Sequence, residues 1–211
     1  MWPTDDKTEE LLLGAKNGDE EAVNRLIDRH RGAVLRMVQM RLDHKIRRRV
    51  DVSDVVQDVM IDASRRLQDY LANPVMPFHL WLRHIAKDRI IDAHRRHRGS
   101  QKRSVDREQR LAVPGADDHS TMDLAAQFCD GELTPAAAAT QREMAERVEA
   151  AITELGEQDG EIIIMRHYEQ LSNQEVAQAL GLSEPAASMR YLRAVRRLRA
   201  MLMGSEGDEE A

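Results

Sequence analysis

Arg190, Arg193, Arg196, Arg197 and Arg199 crowd the stretch LSNQEVAQALGLSEPAASMRYLRAVRRLR, near the end of a 211-residue chain with a formal charge of −6. Guanidinium stays charged at every accessible pH, so these residues are not proton-transfer catalysts; they grip phosphate or fork onto guanine. Small residues at Ala186, Ala187 and Ser188 would let the same helix approach a nucleic acid closely. A surface helix with a solvated basic face is the alternative for the arginines taken alone. The elements ahead of them narrow that choice. Ser172 and Glu175 have S-x-x-E spacing, the capping box that starts a helix, here one bearing Val176, Ala177 and Leu180. Gly181 can adopt the left-handed conformation that ends it, Leu182 turns inward and Ser183 caps the next helix. A short helix, a glycine turn and a second capped helix are the parts of a helix-turn-helix, whose second helix enters the major groove.

A second group of candidates lies in the N-terminal half. On DVSDVVQDVMIDASRRLQDYL, with Asp51 or Ser53 as cap, the spacing of Val55, Val56, Val59, Ala63 and Leu67 predicts a core stripe. The opposite face carries Asp54, Gln57, Asp58 and Arg65, with Ile61 among them. Ile61 is either a singly exposed apolar residue or the centre of a contact with a basic protein surface. After the helix-breaking NPVMP, the segment FHLWLRHIAKDRIIDAHRRHR resumes helical spacing. Trp81, Leu82, Ile85 and Ile90 form its apolar side, Arg83 and Lys87 lie on a flank, and the basic run HRRHRGSQKR follows. Such an end suits nucleic acid, with charge tracking phosphate; Trp81 could stack on a base or belong to the core. His94 and His97 lack a Cys, Asp or Glu nearby to complete a metal set.

The elements that position these residues are helical throughout. Aromatics make up 3% and charged residues 32% of the chain, which suits small helical bundles better than sheets. GDEEAVNRLIDRHRGAVLRMVQMRL begins at Asp19 as N-cap and puts Ala22, Leu26, Ala33 and Met37 on one face. TPAAAATQREMAERVEAAITEL begins with Thr134 as cap and Pro135 in the first turn. Between them, residues 99–133 lose periodicity and predict a flexible linker. The fold expected is all-α: two small helical domains, 1–98 and 134–203, joined by that linker, the second a helix-turn-helix, with an acidic tail at 204–211. Cys129 is the only cysteine, so no internal disulfide can form and a cysteine-based zinc site is excluded. The N-terminus has no signal-peptide layout, and no apolar run approaches the ~20 residues that span a bilayer. These features imply a soluble, cytoplasmic protein with no membrane insertion. No nucleophile–base pair, phosphate-cradling glycine loop or metal set occurs, which implies no enzymatic activity, no cofactor and no small-molecule substrate.

Three motifs in order resemble a bacterial RNA polymerase sigma factor of the extracytoplasmic-function (ECF) type. DVSDVVQDVMIDASRRL resembles the polymerase-binding helix, FHLWLRHIAKDRIIDAHRRHR the promoter-melting and minus-ten segment, and LSNQEVAQALGLSEPAASMRYLRAVRRLR the minus-thirty-five helix-turn-helix. The resemblance covers about four-fifths of the chain. It implies that residues 1–98 bind polymerase and recognise and melt the minus-ten element, while 134–203 recognise the minus-thirty-five element. Asp54, Gln57, Asp58 and Ile61 would face the coiled coil of the core RNA polymerase clamp. Arg83, Lys87, Arg95, Arg96 and Arg98 would meet promoter DNA in the first domain, and Ser188, Arg190, Arg193, Arg196 and Arg197 in the second. An anti-sigma factor is a further partner the family allows. Two positions depart from the pattern: Asp88 stands where the family commonly has Asn, and Pro185 with the alanines after it leaves few base-reading side chains. The competing reading is a stand-alone helix-turn-helix regulator that binds palindromic DNA as a dimer.

Overall fold

The computed structural model describes residues 2–3, 6–42, 50–98, 121, 124 and 135–204, the side chains of 97, 98, 135–141 and 204 excepted. Every regular element among the described residues is a helix, in two compact units, Met1–Ala112 and Val113–Ala211. None of these helices is long and apolar enough to cross a membrane.

In the first unit, α1 (Asp6–Lys16) and α2 (Glu20–Arg41) precede α3 (Val52–Ala72) and α4 (Phe78–Arg98). Asp19 caps α2 by accepting from the Glu21 and Ala22 amides, and Asp51 caps α3 by accepting from the Ser53 amide and hydroxyl. Asp51 rather than Ser53 is therefore the cap, and those two hydrogen bonds hold its carboxyl below the usual range. α2 packs on α1, α3 and α4. Leu26, Val34 and Val38 of α2, Val59, Ala63 and Leu67 of α3, and Leu80, Leu82 and Ile90 of α4 are buried in the core. All five residues of the expected α3 stripe are buried.

The break between α3 and α4 is braced by aromatics. Tyr70 donates to the Met76 carbonyl at 2.9 Å, closing the loop that Pro74 and Pro77 keep out of helix. Its ring lies 4.8 Å from Trp81 and 5.6 Å from Phe78, and Phe78 meets His30 edge-on at 5.0 Å. Trp81 is thus half-buried within a ring cluster that sets where α4 starts. At the far end, His94 Nε2 lies 3.3 Å from the Arg41 carbonyl, joining α4 to the end of α2.

The second unit comprises α5 (Pro135–Glu154), α6 (Glu157–His167), α7 (Asn173–Leu180) and α8 (Glu184–Gly204). α8 packs on α5, α6 and α7 through Ala187, Ala194, Leu198 and Leu202, against Val148, Ile152, Ile162, Ile163 and Val176. At Gly160 an added Cβ would sit 2.9 Å from the Ile152 carbonyl oxygen, so only glycine lets α6 lie this close to α5.

Most of the expected linker, with Cys129, and also Thr134 and residues 205–211, lie outside the described residues. Thr121 and Leu124 differ from the linker expectation. Both are helical and buried, and the Thr121 hydroxyl donates to the Tyr168 hydroxyl at 3.1 Å. These two residues belong to the second unit's core; the flanking Gly, Ser and Asp obscure that in the sequence.

Candidate functional site

The helix-turn-helix forms as the spacing predicts. The Ser172 hydroxyl accepts from the Glu175 amide at 3.2 Å, and the Glu175 carboxylate accepts from the Ser172 amide at 2.7 Å. Gly181 closes α7 at φ 64°, a conformation that favours glycine, and the Leu182 amide reaches back to the Ala177 carbonyl at 2.8 Å. Ser183 accepts from the Ala186 amide at 3.3 Å to cap α8, and Asn173 donates to the Glu184 carbonyl at 3.1 Å, tying the starts of α7 and α8 together.

α8 is then held by its inner side. Tyr191 Oη lies 3.0 Å from His167 Nε2, and the Arg166 guanidinium sits 5.5 Å over the Tyr191 ring while donating to the Leu171 carbonyl. Burial, with Arg166 alongside, lowers the pKa of His167, favouring a neutral ring at this joint. Outward, Arg193, Arg196 and Arg199 are exposed, and Ser188 and Arg190 are half-buried on the flanks. Arg197 is exposed but points homeward: its Nη1 is 3.3 Å from the Leu155 carbonyl oxygen and 3.9 Å from Asp159. It clamps α8 to the start of α6. Ala187, expected among the small residues facing outward, is fully buried.

On α3, Asp54, Gln57, Asp58 and Ile61 are all exposed on one side, opposite the buried stripe, and Ile61 is 40% exposed. The structure brings these four together as an acidic face around one apolar residue. Asp62, the next residue, turns toward α4 and accepts from Arg89 Nε at 2.6 Å.

The α4 candidates fare unequally. Arg83 requires a correction: it was expected on a basic flank, yet it is 1% exposed and is among the largest fully buried side chains. Spacing puts it on the same face as Lys87, one turn earlier, but packing buries it where Lys87 stays half-buried, so phosphate cannot reach it in this conformation. Lys87 is half-buried, and Arg95 and Arg96 are exposed. Arg98 ends the helix, with its side chain outside the described residues. Burial first, then the like charges of Arg83 and Lys87, lowers the pKa of His84, so this side chain adds little positive charge at neutral pH.

Sequence reasoning missed a charge network along α4. Arg89 pairs with Asp62 and, at 3.5 Å, with Asp92; Asp92 accepts from Arg95 at 2.9 Å; Arg96 lies 4.0 Å from Asp58. The i, i+3 spacing of Arg89, Asp92 and Arg95 was available as a signal. The pairs to α3 were not, because they depend on how the two helices pack.

Comparisons with known proteins agree with this architecture. The sigma-70 region 2 family matches residues 26–100, and the sigma-70 region 4 family matches residues 145–198. The RNA polymerase sigma factor NccH of Alcaligenes xylosoxydans xylosoxydans is 30% identical over 209 residues, covering 96% of this chain and 99% of that protein. The RNA polymerase sigma factor CnrH of Cupriavidus metallidurans is 29% identical over 192 residues, covering 91% and 92%. The solved structure of CnrH in complex with the cytosolic domain of CnrY superposes with a TM-score of 0.56 at 24% identity, covering 94% of this chain and 99% of that one. The first-unit helices match region 2 and the helix-turn-helix matches region 4, in the order the sequence motifs set out. The chain belongs to the sigma-70 family of RNA polymerase sigma factors and is of the ECF type.

Proposed function

We propose that this sigma factor binds core RNA polymerase through the acidic face of α3 and directs promoter-specific initiation with two separate DNA surfaces. The end of α4, with Lys87, Arg95, Arg96 and Arg98, meets the minus-ten region. α8, with Ser188, Arg190, Arg193 and Arg196, meets the minus-thirty-five element. One observation carries the reading: an exposed acidic face with an apolar centre lies in one unit, and an arginine-rich helix held in helix-turn-helix geometry lies in the other. Carboxylates repel phosphate, so Asp54 and Asp58 suit a basic protein partner, whereas α8 suits duplex DNA. Each surface is weak alone; holding both on one polymerase turns the second contact into an intramolecular one.

In this reading the chain carries out no catalysis, binds no cofactor and works in the cytoplasm beside polymerase. CnrH forms a complex with the cytosolic domain of CnrY, which supports an anti-sigma protein as a further partner here. Run-off transcription with core polymerase plus this protein, on fragmented genomic DNA of its source, tests the proposal. Discrete transcripts that require the protein are expected. Nanomolar binding of a palindrome by the isolated chain, with no transcripts, would overturn it in favour of a dimeric regulator.

A further inference from the structure

The outermost stripe of α8 is not arginine over its first two turns. Pro185, Met189, Leu192 and Arg196 follow i, i+4, i+7, i+11 spacing, which puts them on one side of the helix, and all four are exposed. Met189 is 54% and Leu192 45% exposed, unusual for large apolar side chains on so basic a helix. The inner side is accounted for by Ala187, Ala194 and Leu198, each fully buried, so the unit's own core makes no use of the stripe. Arg190, the first arginine of α8, is half-buried on the flank, and the exposed arginines begin only at Arg193.

In a helix-turn-helix the N-terminal half of the second helix meets base edges, while charge farther along holds the backbone. Apolar side chains cannot accept or donate there. The apolar feature of the major groove that distinguishes bases is the thymine C5-methyl group. Resting on the promoter-binding reading of α8, we infer that Met189 and Leu192 are specificity residues that read thymine methyls in the minus-thirty-five element. Arg193 and Arg196, at the end of the stripe, hold the adjoining phosphates. The occupant is therefore duplex DNA. A protein partner would cover the same apolar residues, but the exposed arginines that border them give the surface the charge of a phosphate-binding one.

Replacing thymine by deoxyuridine removes the methyl and leaves every hydrogen-bonding group in place. The reconstituted holoenzyme is used to select a minus-thirty-five element from duplexes randomised in that window, and each thymine of the selected element, on either strand, is then replaced by deoxyuridine. At least one replacement should weaken holoenzyme binding about fourfold, the cost of exposing about one buried methyl-sized group. Met189→Ala or Leu192→Ala should abolish that loss at the position each residue touches. Both side chains are exposed, so the variants should fold, which circular dichroism checks. Neutral replacement at every thymine would overturn the inference, as would a loss that persists unchanged in both variants. Loss of core binding in the alanine variants, with deoxyuridine neutral, would assign the stripe to protein and overturn it too. A holoenzyme that selects no element at all would instead strike at the promoter-binding reading itself.

Discussion

The end of α4 and the outer side of α8 are both rich in arginine, yet their charges are spent differently. On α4, Arg89, Arg95 and Arg96 each have a carboxylate within ion-pair reach: Asp62 and Asp92, Asp92, and Asp58. On α8, only Arg197 is paired among the described residues, with Asp159, and no described carboxylate lies within ion-pair reach of Arg190, Arg193, Arg196 or Arg199. A basic run in a sequence therefore measures total cations, not available ones. Availability depends on which acids lie alongside: against α4 these are Asp58 and Asp62 of α3 and Asp92 of α4 itself. In binding DNA, α8 can exchange only counterions, whereas α4 must also give up internal pairs.

The largest effect should come from the α3 face, whose Asp58 also lies within ion-pair reach of Arg96 on α4. Asp58→Lys with Ile61→Ala sets like charge against a basic clamp surface and removes the apolar centre. Losing one partner of a buried interfacial charge pair costs ~2–5 kcal/mol, so pull-down with core polymerase should fail. Both residues are exposed, and thermal melting should match wild type. A folded double variant that binds core normally would take this face out of the mechanism.

Next come the α8 arginines. Arg193→Ala and Arg196→Ala should each lower the salt slope of promoter binding by ~0.9 if they hold phosphate. If either reads a base, ~1–3 kcal/mol should be lost at one position only. Arg95→Ala and Arg96→Ala should change the slope less, since their carboxylates already offset part of their charge. Equal slopes for the two sets would show that the internal pairs open without cost, and the contrast between the helices would collapse.

Arg89 sharpens the contrast from the side of stability. Its pair with Asp62 is largely buried, unlike the exposed pairs farther along α4. Arg89→Ala leaves the Asp62 carboxylate with little solvent and without its guanidinium, and should cost about 1–3 kcal/mol in urea unfolding of the intact chain. Arg95→Ala should stay within about 0.5 kcal/mol. A neutral Arg89→Ala would mean that Asp62 is solvated in solution, and that α4 is not held by this pair.

Local signals in the sequence carried most of the fold. Asp19, the Ser172–Glu175 box, Gly181 and Ser183 act on atoms within a few residues, so spacing alone locates the helix ends they make. The α3 stripe is equally legible, because helical period and burial coincide there. What was hidden depends on contacts between distant elements. Arg83 looks like a flank residue in a basic segment, yet packing on other helices buries it. Thr121 and Leu124 sit in a polar stretch whose composition says nothing of Tyr168. Met189 and Leu192 do show apolar spacing, but that pattern ordinarily signals core, and only the burial of Ala187, Ala194 and Leu198 reveals that it faces outward.

The smallest effect belongs to the pair that links the two functions of the first unit. Asp58 is part of the face proposed for polymerase, and Arg96 part of the end proposed for DNA; at 4.0 Å and with both side chains well exposed, their attraction is modest. Exposed pairs are worth ~0.2–1 kcal/mol, and salt screens them over about 8 Å at physiological strength. Asp58→Asn removes the charge that holds Arg96 and should strengthen the weak, sequence-independent DNA binding of the free protein by up to about fivefold at low salt. Part of any gain would come simply from one fewer negative charge on the protein. Adding Asp58→Asn to an Arg96→Ala background separates the two causes: general charge relief still acts there, whereas release of Arg96 cannot. If polymerase engaging Asp58 likewise frees Arg96 for DNA, linkage requires that DNA engaging Arg96 favour polymerase binding at Asp58 by the same factor. A gain as large on the Arg96→Ala background as on the wild type would show that the pair does not couple the two surfaces, leaving α4 and α3 to act independently.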